Sequence, residues 1–252
     1  MIPLDRTNTL VVIPAYNEEG SIISVIEEVK ASGFSYVVID DGSVDETRKR
    51  TIEAGSRIVS LPFNTGVGGA LKCGFRFAVE NGYRAVIQFD ADGQHPVGHL
   101  TKLVEHANQN SSHLVIGTRF HNKSGSMDIS RTRRIAMKFL SFVTNRQTAI
   151  AVSDTTSGFR LISEPLLTQF ARSFPKYYLG DTFEAVNVAA LNGYVLGEVS
   201  VPFANRTIGE SSSSNLNSIL SIVKIVCVTR MGLHFRIERY RAEDRSDYST
   251  RP

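Results

Sequence analysis

The chain has 252 residues, 42% of them apolar, and a formal net charge of +3 at pH 7. A chain of this length and apolar content can bury a full hydrophobic core, so it needs no disulfide or metal staple to fold. The net charge is too small to indicate nucleic acid as a partner. Cys73 and Cys227 are far apart in sequence and predict unpaired thiols in a reducing compartment. No N-terminal targeting signal is recognised, so a cytoplasmic protein is expected.

Strand and helix patterns alternate through the first half of the chain. Compact apolar runs predict strands at residues 9–13, 36–40, 57–61, 85–89 and 113–117. Apolar residues at helical spacing and capping signals predict helices at 20–32, after Ser43, at 66–80 and at 97–108. Asn17 is expected to cap the first helix, and Ser43 with Glu46 is expected to form a capping box for the second. The alternation predicts an α/β fold with a mostly parallel sheet and helices on both faces.

Polar side chains gather in the loops that follow the predicted strands. In sheets of this kind, ligands bind outside the carboxyl ends of the strands. These loops contain Tyr16, Asn17 and Glu18, then Asp40 and Asp41, then Asn64 with Gly66, Gly68 and Gly69, and finally Asp90, Asp92, Gln94 and His95. One edge of the sheet is therefore predicted to hold the functional site.

The stretch FDADGQHP at 89–96 carries two carboxylates separated by one residue. Asp90 and Asp92 can both turn toward one cation, and Gln94 can add an amide oxygen. Mg²⁺ and Mn²⁺ suit such oxygen ligands, particularly when substrate phosphates complete the coordination shell. The alternatives are a calcium loop or an ordinary Asp-Gly turn. The calcium reading is disfavoured because His95 and the residues after it do not continue the acidic pattern.

The glycine-rich stretch GVGGALKCG at 66–74 allows two interpretations. A turn that starts at Gly66 could cradle a pyrophosphate with its backbone N–H groups, as in a nucleotide-cofactor oxidoreductase. The spacing fits that motif only in part, because Leu71 stands where a third glycine is required. The glycines could equally serve a tight turn and close helix packing. A non-catalytic binding protein is a third possibility for the whole chain.

Seven motifs together resemble one family. They are IPAYNEE (13–19), IDDGSVDET (39–47), NTGVGGALKCG (64–74), FDADGQHP (89–96), IGTRF (116–120), DTTSGFR (154–160) and RTIGESS (206–212). Their order and approximate spacing resemble the family 2 inverting glycosyltransferases with the GT-A fold, in particular the dolichyl or polyprenyl phosphate mannose synthase branch. The resemblance implies transfer of a hexose from a GDP- or UDP-linked donor to a polyprenyl phosphate. The alternative acceptor is a hydroxyl of a glycan or glycolipid in cell-wall or surface polysaccharide synthesis.

The resemblance also implies a role for each matching residue. Asp90, Asp92 and Gln94 would bind Mg²⁺ or Mn²⁺. Arg119 and Arg133 would lie near the donor phosphates or the acceptor. The residues expected to hold the donor nucleoside are Pro14, Ala15, Tyr16, Glu18 and Asp41. The stretch expected below the acceptor is Ser157, Gly158, Phe159 and Arg160, and the closing loop would bring Arg206 to phosphate. The sequence departs from the family pattern after RTIGES (206–211): the next position often carries a lysine in the family, but here it is Ser212.

The acceptor decides whether a general base is needed. A phosphate monoester is already anionic, whereas a hydroxyl acceptor would need a base, for which Asp181 or Glu184 is the candidate. Both acids could instead have only a structural role, because the positive end of the helix dipole stabilises carboxylates at a helix N-terminus. The two interpretations stay open.

Three segments bear on membrane association and assembly. Residues 119–146 hold seven lysines and arginines against one acid, beside an apolar helical side. This pattern fits a solvated basic face over ordinary core packing or an anionic membrane surface, and the resemblance favours the membrane. A catalytic domain is expected at 1–215, an amphipathic helix at 216–237 and a disordered tail at 238–252. The 216–235 stretch is a poor membrane-spanning candidate because Lys224 and Arg230 interrupt it. Peripheral attachment to the cytoplasmic face, a homo-oligomer or a membrane partner subunit is expected, and no nucleic-acid partner.

Overall fold

The computed structural model describes residues 3–118, 154, 157–174 and 180–202, with the backbone alone at 180, 181 and 183. The predictions on Arg119, Arg133 and Arg206 lie outside these residues. So do those on the basic segment 119–146 and on the C-terminal segments 216–237 and 238–252.

The described strands form one sheet of seven in the order β3-β2-β1-β4-β6-β5-β7. Their bounds are β1 Thr9–Ala15, β2 Ser35–Asp40, β3 Ile58–Ser60, β4 Ala85–Gln88, β5 Leu114–Thr118, β6 Arg160–Ser163 and β7 Leu196–Ser200. All neighbouring pairs are parallel except that β6 runs antiparallel to both β4 and β5. The predicted mostly parallel α/β sheet is confirmed. The strands β2, β1 and β4 lie side by side, so their carboxyl ends meet at one edge.

Helices cover both faces of this sheet. Their bounds are α1 Ile22–Ser32, α2 Thr47–Glu53, α3 Val67–Glu80, α4 Leu100–Asn110, α5 Leu166–Arg172 and α6 Gly180–Leu191, with a 3₁₀ turn at Val97–His99 before α4. Strand β1 shows why the core has two halves: Val11 and Ile13 pack with α1 and α4, whereas Leu10 and Val12 pack with α3, α5 and α6. A strand that is buried on both faces is apolar at successive positions. None of the helices in the described part of the chain is long and apolar enough to cross a membrane.

The two predicted helix caps are wrong. Helix α1 begins at Ile22 after Ser21, and Asn17 has a left-handed backbone with φ of 55°. Helix α2 begins at Thr47, and Ser43 accepts a hydrogen bond from the Asn17 N–H instead of capping it. The physical reason is competition: these polar side chains bond across to the neighbouring loop rather than to their own helix.

Candidate active site

The loops after β1 and β2 are joined by side chain–backbone hydrogen bonds. The Asn17 N–H donates to Ser43 Oγ at 3.0 Å, and Asn17 Oδ1 accepts from the Val44 N–H at 2.9 Å. The Glu18 N–H donates to Thr47 Oγ1 at 2.8 Å. The two loops therefore form one unit at the carboxyl edge of the sheet.

Asp45 adds a second set of bonds to the same unit. Its Oδ2 accepts from the Glu19 N–H at 3.2 Å, and its Oδ1 accepts from the Thr47 N–H at 3.0 Å. Partial burial raises the pKa of Asp45, but the hydrogen bonds from Thr47 and from the Glu19 backbone outweigh it and leave the pKa below its usual value. The folded loop therefore favours the charged form of this side chain.

Asp41 brings the loop after β3 into the same unit. The Asp41 N–H donates to the carbonyl of Ala15 at 2.9 Å. Its buried carboxylate accepts at Oδ1 from both the N–H and the hydroxyl of Thr65, at 2.8 and 2.7 Å. Gly42, with φ of 71°, lies against the backbone of Phe63, where an added Cβ would be 2.7 Å from the carbonyl carbon. Three loops thus converge around one buried acid.

The glycines after β3 provide close packing. A Cβ at Gly69 would collide with Thr65, and one at Gly74 would collide with Val12 of β1. Gly66 has φ of 82° and precedes the first residue of α3. Of the two interpretations of this stretch, the structure favours packing for Gly69 and Gly74. A phosphate contact at Gly66 stays a prediction.

The loop at residues 89–96, called the metal loop here because it is predicted to bind a divalent ion, curls back on itself directly after β4. The Asp90 N–H donates to Nδ1 of His95 at 2.9 Å, and the Gln94 N–H donates to Asp92 Oδ1 at 3.1 Å. Gly93 supplies the left-handed turn with φ of 72°. The ring of His95 is buried, whereas about a third of the Asp90 side chain, 35%, is exposed. The buried His95 ring therefore anchors the Asp90 backbone, and the Asp90 carboxylate stays partly exposed.

Buried polar side chains lie behind that carboxylate. Gln88, the last residue of β4, donates from Nε2 to Asp90 Oδ1 at 3.2 Å. His95 Nε2 lies 3.3 Å from Asp90 Oδ2. Arg160, the first residue of β6 and only 1% exposed, donates from Nε to Gln88 Oε1 at 3.0 Å and from a terminal nitrogen to the Thr182 carbonyl at 3.2 Å.

The donor atoms of the metal loop suit a divalent cation. Each carboxylate oxygen has more than one lone-pair site, so the single neighbours at Asp90 Oδ1 and Oδ2 leave capacity for a further ligand. Asp92 Oδ2 has no hydrogen-bond partner among the described residues. No group of three His, Cys, Asp or Glu residues in that same part of the chain could hold a metal alone. Two carboxylates with phosphate and water completing the shell is the pattern typical of Mg²⁺.

The other predicted residues occupy different depths of the same edge. Tyr16 is exposed, Pro14, Glu18 and Gln94 are half-buried, and Ala15 is buried. Ser157 is buried and its hydroxyl donates to the Gly117 carbonyl at 2.7 Å. The positions of Asp181 and Glu184 fall in the first turns of α6, and Glu184 is half-buried. The buried residues therefore shape the site from behind, and those that reach its surface include Tyr16, Asp90 and Asp92.

Sequence reasoning missed Gln88, and it placed Gly158 below the acceptor without foreseeing that this glycine lies against Asp90. A Cβ at Gly158 would lie 2.6 Å from Asp90 Oδ2, so this glycine lets the chain before β6 approach the carboxylate. The one usable signal was a glutamine within the apolar run AVIQF, since a buried amide requires partners.

Comparison with known proteins places this geometry in a family. The model of glycosyl transferase family 2 matches residues 10–170. The chain is 29% identical over 208 residues to a UDP-N-acetylglucosamine–dolichyl-phosphate N-acetylglucosaminyltransferase of Methanococcus voltae, covering 75% of this chain and 83% of that protein. It is 25% identical over 246 residues to polyprenol monophosphomannose synthase of Mycolicibacterium smegmatis, covering 92% and 90%.

A solved structure shares the fold. Glucosyl-3-phosphoglycerate synthase from Mycobacterium tuberculosis, in complex with Mn²⁺, UDP-glucose and phosphoglyceric acid, superposes with a TM-score of 0.66 at 22% identity. The match covers 89% of this chain and 80% of that one. The predicted GT-A fold and the resemblance stated from the motifs are confirmed. The chain belongs to glycosyl transferase family 2, and it is a glycosyltransferase with a GT-A-like α/β fold.

Proposed function

We propose that this protein transfers a hexose from a nucleotide sugar to a polyprenyl phosphate, using a divalent ion held by Asp90, Asp92 and Gln94. The observation that carries the proposal is the adjacency of β2, β1 and β4. It brings the three-loop unit around Asp41 and the metal loop to one edge of the sheet. A nucleoside bound at the three-loop unit and its diphosphate bound at the metal loop would lie side by side along that edge.

The chemistry needs charge stabilisation at the leaving group. As the bond between the sugar and the diphosphate breaks, negative charge grows on the diphosphate oxygen and positive charge on the sugar. A bound Mg²⁺ or Mn²⁺ would act there as a Lewis acid. The chain's own task is to hold the donor so that cations meet this charge as it develops, which lowers the barrier. We assign the nucleoside to Pro14, Ala15, Tyr16, Glu18 and Asp41, and the phosphates to Gly66, Arg119 and Arg206.

The acceptor assignment rests on the relatives and on the chemistry of phosphate. Both named relatives carry a polyprenyl-type lipid in their names, dolichyl phosphate in one and polyprenol in the other. A phosphate monoester oxygen is anionic at neutral pH and can attack without a strong base. The acceptor would then be held by cations, for which we propose Arg133 and the basic segment 119–146. Ser157 and Arg160 would support this region from below.

The start of α6 carries the two acids that the alternative, hydroxyl acceptor would need. The Thr182 carbonyl in its first turn accepts a hydrogen bond from Arg160, which in turn contacts Gln88 behind the metal loop. Asp181 and Glu184 therefore belong to a turn that is tied to the reaction centre. A glycan or glycolipid hydroxyl would require one of these acids as a general base.

Membrane attachment follows from the proposed acceptor. A lipid-linked phosphate must be reached at a bilayer surface, and the cationic segment 119–146 would bind anionic headgroups. We propose peripheral binding at the cytoplasmic face, with 216–237 as a contact for the membrane, for a second copy or for a partner subunit. The donor that we propose is GDP- or UDP-linked.

The decisive experiment combines a substrate screen with removal of one carboxylate. Purified protein with Mn²⁺ is offered UDP- and GDP-sugars, each with polyprenyl phosphate and with hydroxyl acceptors. We expect product only with the lipid phosphate. Asp92→Ala should lower transfer by about 10²–10³-fold because it removes a ligand of the cation that would stabilise the leaving group. Glu80→Ala, which removes an exposed carboxylate from α3, is the matched control and should leave transfer unchanged.

Two results would count against this function. Transfer by Asp92→Ala at the full rate without added metal would rule out the metal site. Transfer only to hydroxyl acceptors, abolished by neutralising Asp181 or Glu184, would replace the polyprenyl phosphate with the alternative acceptor.

A further inference from the structure

A fully buried arginine lies behind the metal loop. Arg160 begins β6, and the strand register pairs it with Gln88 at the end of β4. Burying a guanidinium group is costly unless its N–H groups are hydrogen-bonded. Here Nε donates a hydrogen bond to Gln88 Oε1, and a terminal nitrogen donates one to the Thr182 carbonyl. The sheet therefore fixes a cation whose donors point in two known directions.

The arginine fixes the polarity of the Gln88 amide. Because Arg160 only donates, Gln88 must turn its oxygen toward the guanidinium and its NH₂ group toward Asp90 Oδ1, at 3.2 Å. The flipped amide would place two donors face to face at Arg160 and two acceptors face to face at Asp90. The Asp90 carboxylate is thus held by the Gln88 NH₂ group, and Arg160, deeper in the core, sets the orientation of that amide.

The other oxygen of Asp90 is fixed from a second direction. The His95 ring accepts the Asp90 N–H at Nδ1, so its proton is on Nε2, which lies 3.3 Å from Asp90 Oδ2. Gly158 closes the remaining side, since a Cβ there would lie 2.6 Å from the same oxygen. Both oxygens therefore have a set position before any ligand arrives.

We propose that Arg160 and Gln88 are positioning residues that orient the Asp90 carboxylate toward the divalent ion and tie the metal loop to the first turn of α6 through Thr182. This inference rests on the metal-dependent function proposed above and names residues that act on the ion through Asp90. Groups that orient a metal ligand from behind typically change metal affinity by about 10–100-fold when they are replaced.

The test measures metal binding directly. Mn²⁺ binding to the full chain is followed by the electron paramagnetic resonance signal of free Mn²⁺, with UDP or GDP present. Gln88→Leu keeps the approximate size of the side chain but removes the amide, and should weaken Mn²⁺ binding by about tenfold or more. Asn108→Leu is the control: it also deletes an amide with two hydrogen bonds, to the backbone of Leu4, near the far end of α4. Its Mn²⁺ affinity should equal that of the wild type.

A kinetic readout separates positioning from general damage. For Gln88→Leu, the Mn²⁺ concentration that gives half-maximal activity should rise about tenfold, while kcat at saturating Mn²⁺ recovers most of its wild-type value. Arg160→Lys keeps the charge but loses the Nε–H that faces Gln88, and should raise the same Mn²⁺ requirement. Gly158→Ala places a Cβ 2.6 Å from Asp90 Oδ2 and 3.2 Å from Gln88 Nε2 while leaving the Gln88 and Arg160 side chains in place, so it tests the idea even where Gln88→Leu does not fold.

The outcomes are distinguishable. Mn²⁺ affinity within twofold of the wild type in both Gln88→Leu and Gly158→Ala overturns the positioning role and leaves the proposed function intact. A wild-type chain that binds no Mn²⁺ with either nucleotide overturns the inference together with the metal-dependent function. Weakened Mn²⁺ binding in these variants, with a normal Asn108→Leu, supports it.

Discussion

The contact between Gly42 and the loop after β3 makes a quantitative prediction. Gly42 has φ of 71°, and an added Cβ would lie 2.7 Å from the carbonyl carbon of Phe63 and 2.9 Å from the backbone nitrogen of Asn64. Gly55 has a similar φ of 63°, but nothing lies within 4 Å of its added Cβ. Gly42→Ala and Gly55→Ala therefore share the left-handed backbone penalty, and only the first collides with rigid backbone.

The two variants should differ by the cost of that collision. Placing alanine in the left-handed region costs about 1–2 kcal/mol, which is the whole expected loss for Gly55→Ala. Gly42→Ala should lose about 1–3 kcal/mol more in the free energy of unfolding, because close-packed backbone must shift. Urea unfolding of both variants measures the difference.

The same substitution should weaken nucleotide binding. Displacing residues 63–65 disturbs the two hydrogen bonds from Thr65 to Asp41. If nucleotide binding has to re-form one of these hydrogen bonds to the Asp41 carboxylate, about 1.5 kcal/mol of the binding free energy is used for it. That cost corresponds to roughly a tenfold loss of UDP or GDP affinity. Calorimetric titration should show this loss for Gly42→Ala and none for Gly55→Ala. Equal stability and equal affinity in the two variants would refute the reasoning.

Two further predictions concern the loops and the core. The folded pKa of Asp45 lies below the ordinary value of 3.8, so its contribution to stability is present above that pH and is lost as pH falls through the folded pKa. The difference in unfolding free energy between the wild type and Asp45→Asn should therefore be constant from about pH 7 to 5 and shrink below about pH 4, and a constant difference down to pH 3 would contradict this. Gly74→Ala should destabilise the protein by about 1–3 kcal/mol through its collision with Val12. Adding Val12→Ala should recover part of that loss, and a double-mutant cycle without coupling would show that the two side chains do not meet.

The strands predicted from sequence were the ones with a strong local signal. The runs at 9–13 and 36–40 correspond to β1 and β2 because both faces of these strands are buried, which leaves continuous apolar segments. Strand β6 escaped prediction because it has four residues and begins with a charged one. Its place in the sheet depends on pairing with β4, and Arg160 is 72 residues from its partner Gln88. A local pattern carries no information about such a pairing.

The site was predictable in outline for the same reason. Asp90 and Asp92 follow a strongly apolar strand, so their place at the carboxyl edge follows from topology alone. The helix caps were wrong because the chemistry of Asn17 and Ser43 allows several partners, and only the folded arrangement shows that the opposite loop is nearer than the helix. The ligand roles of these residues stay predictions until binding is measured.

The position of β6 also constrains the order in which the molecule can be completed during synthesis. Strands β4 and β5 are not hydrogen-bonded neighbours; each pairs with β6, which leaves the ribosome about 40 residues after β5. A nascent chain that ends before Ser163 would expose two open strand edges in the middle of its sheet, where other chains could pair. The first 118 residues alone would present such unpaired edges, so we expect a premature stop in this interval to yield aggregating rather than merely inactive protein.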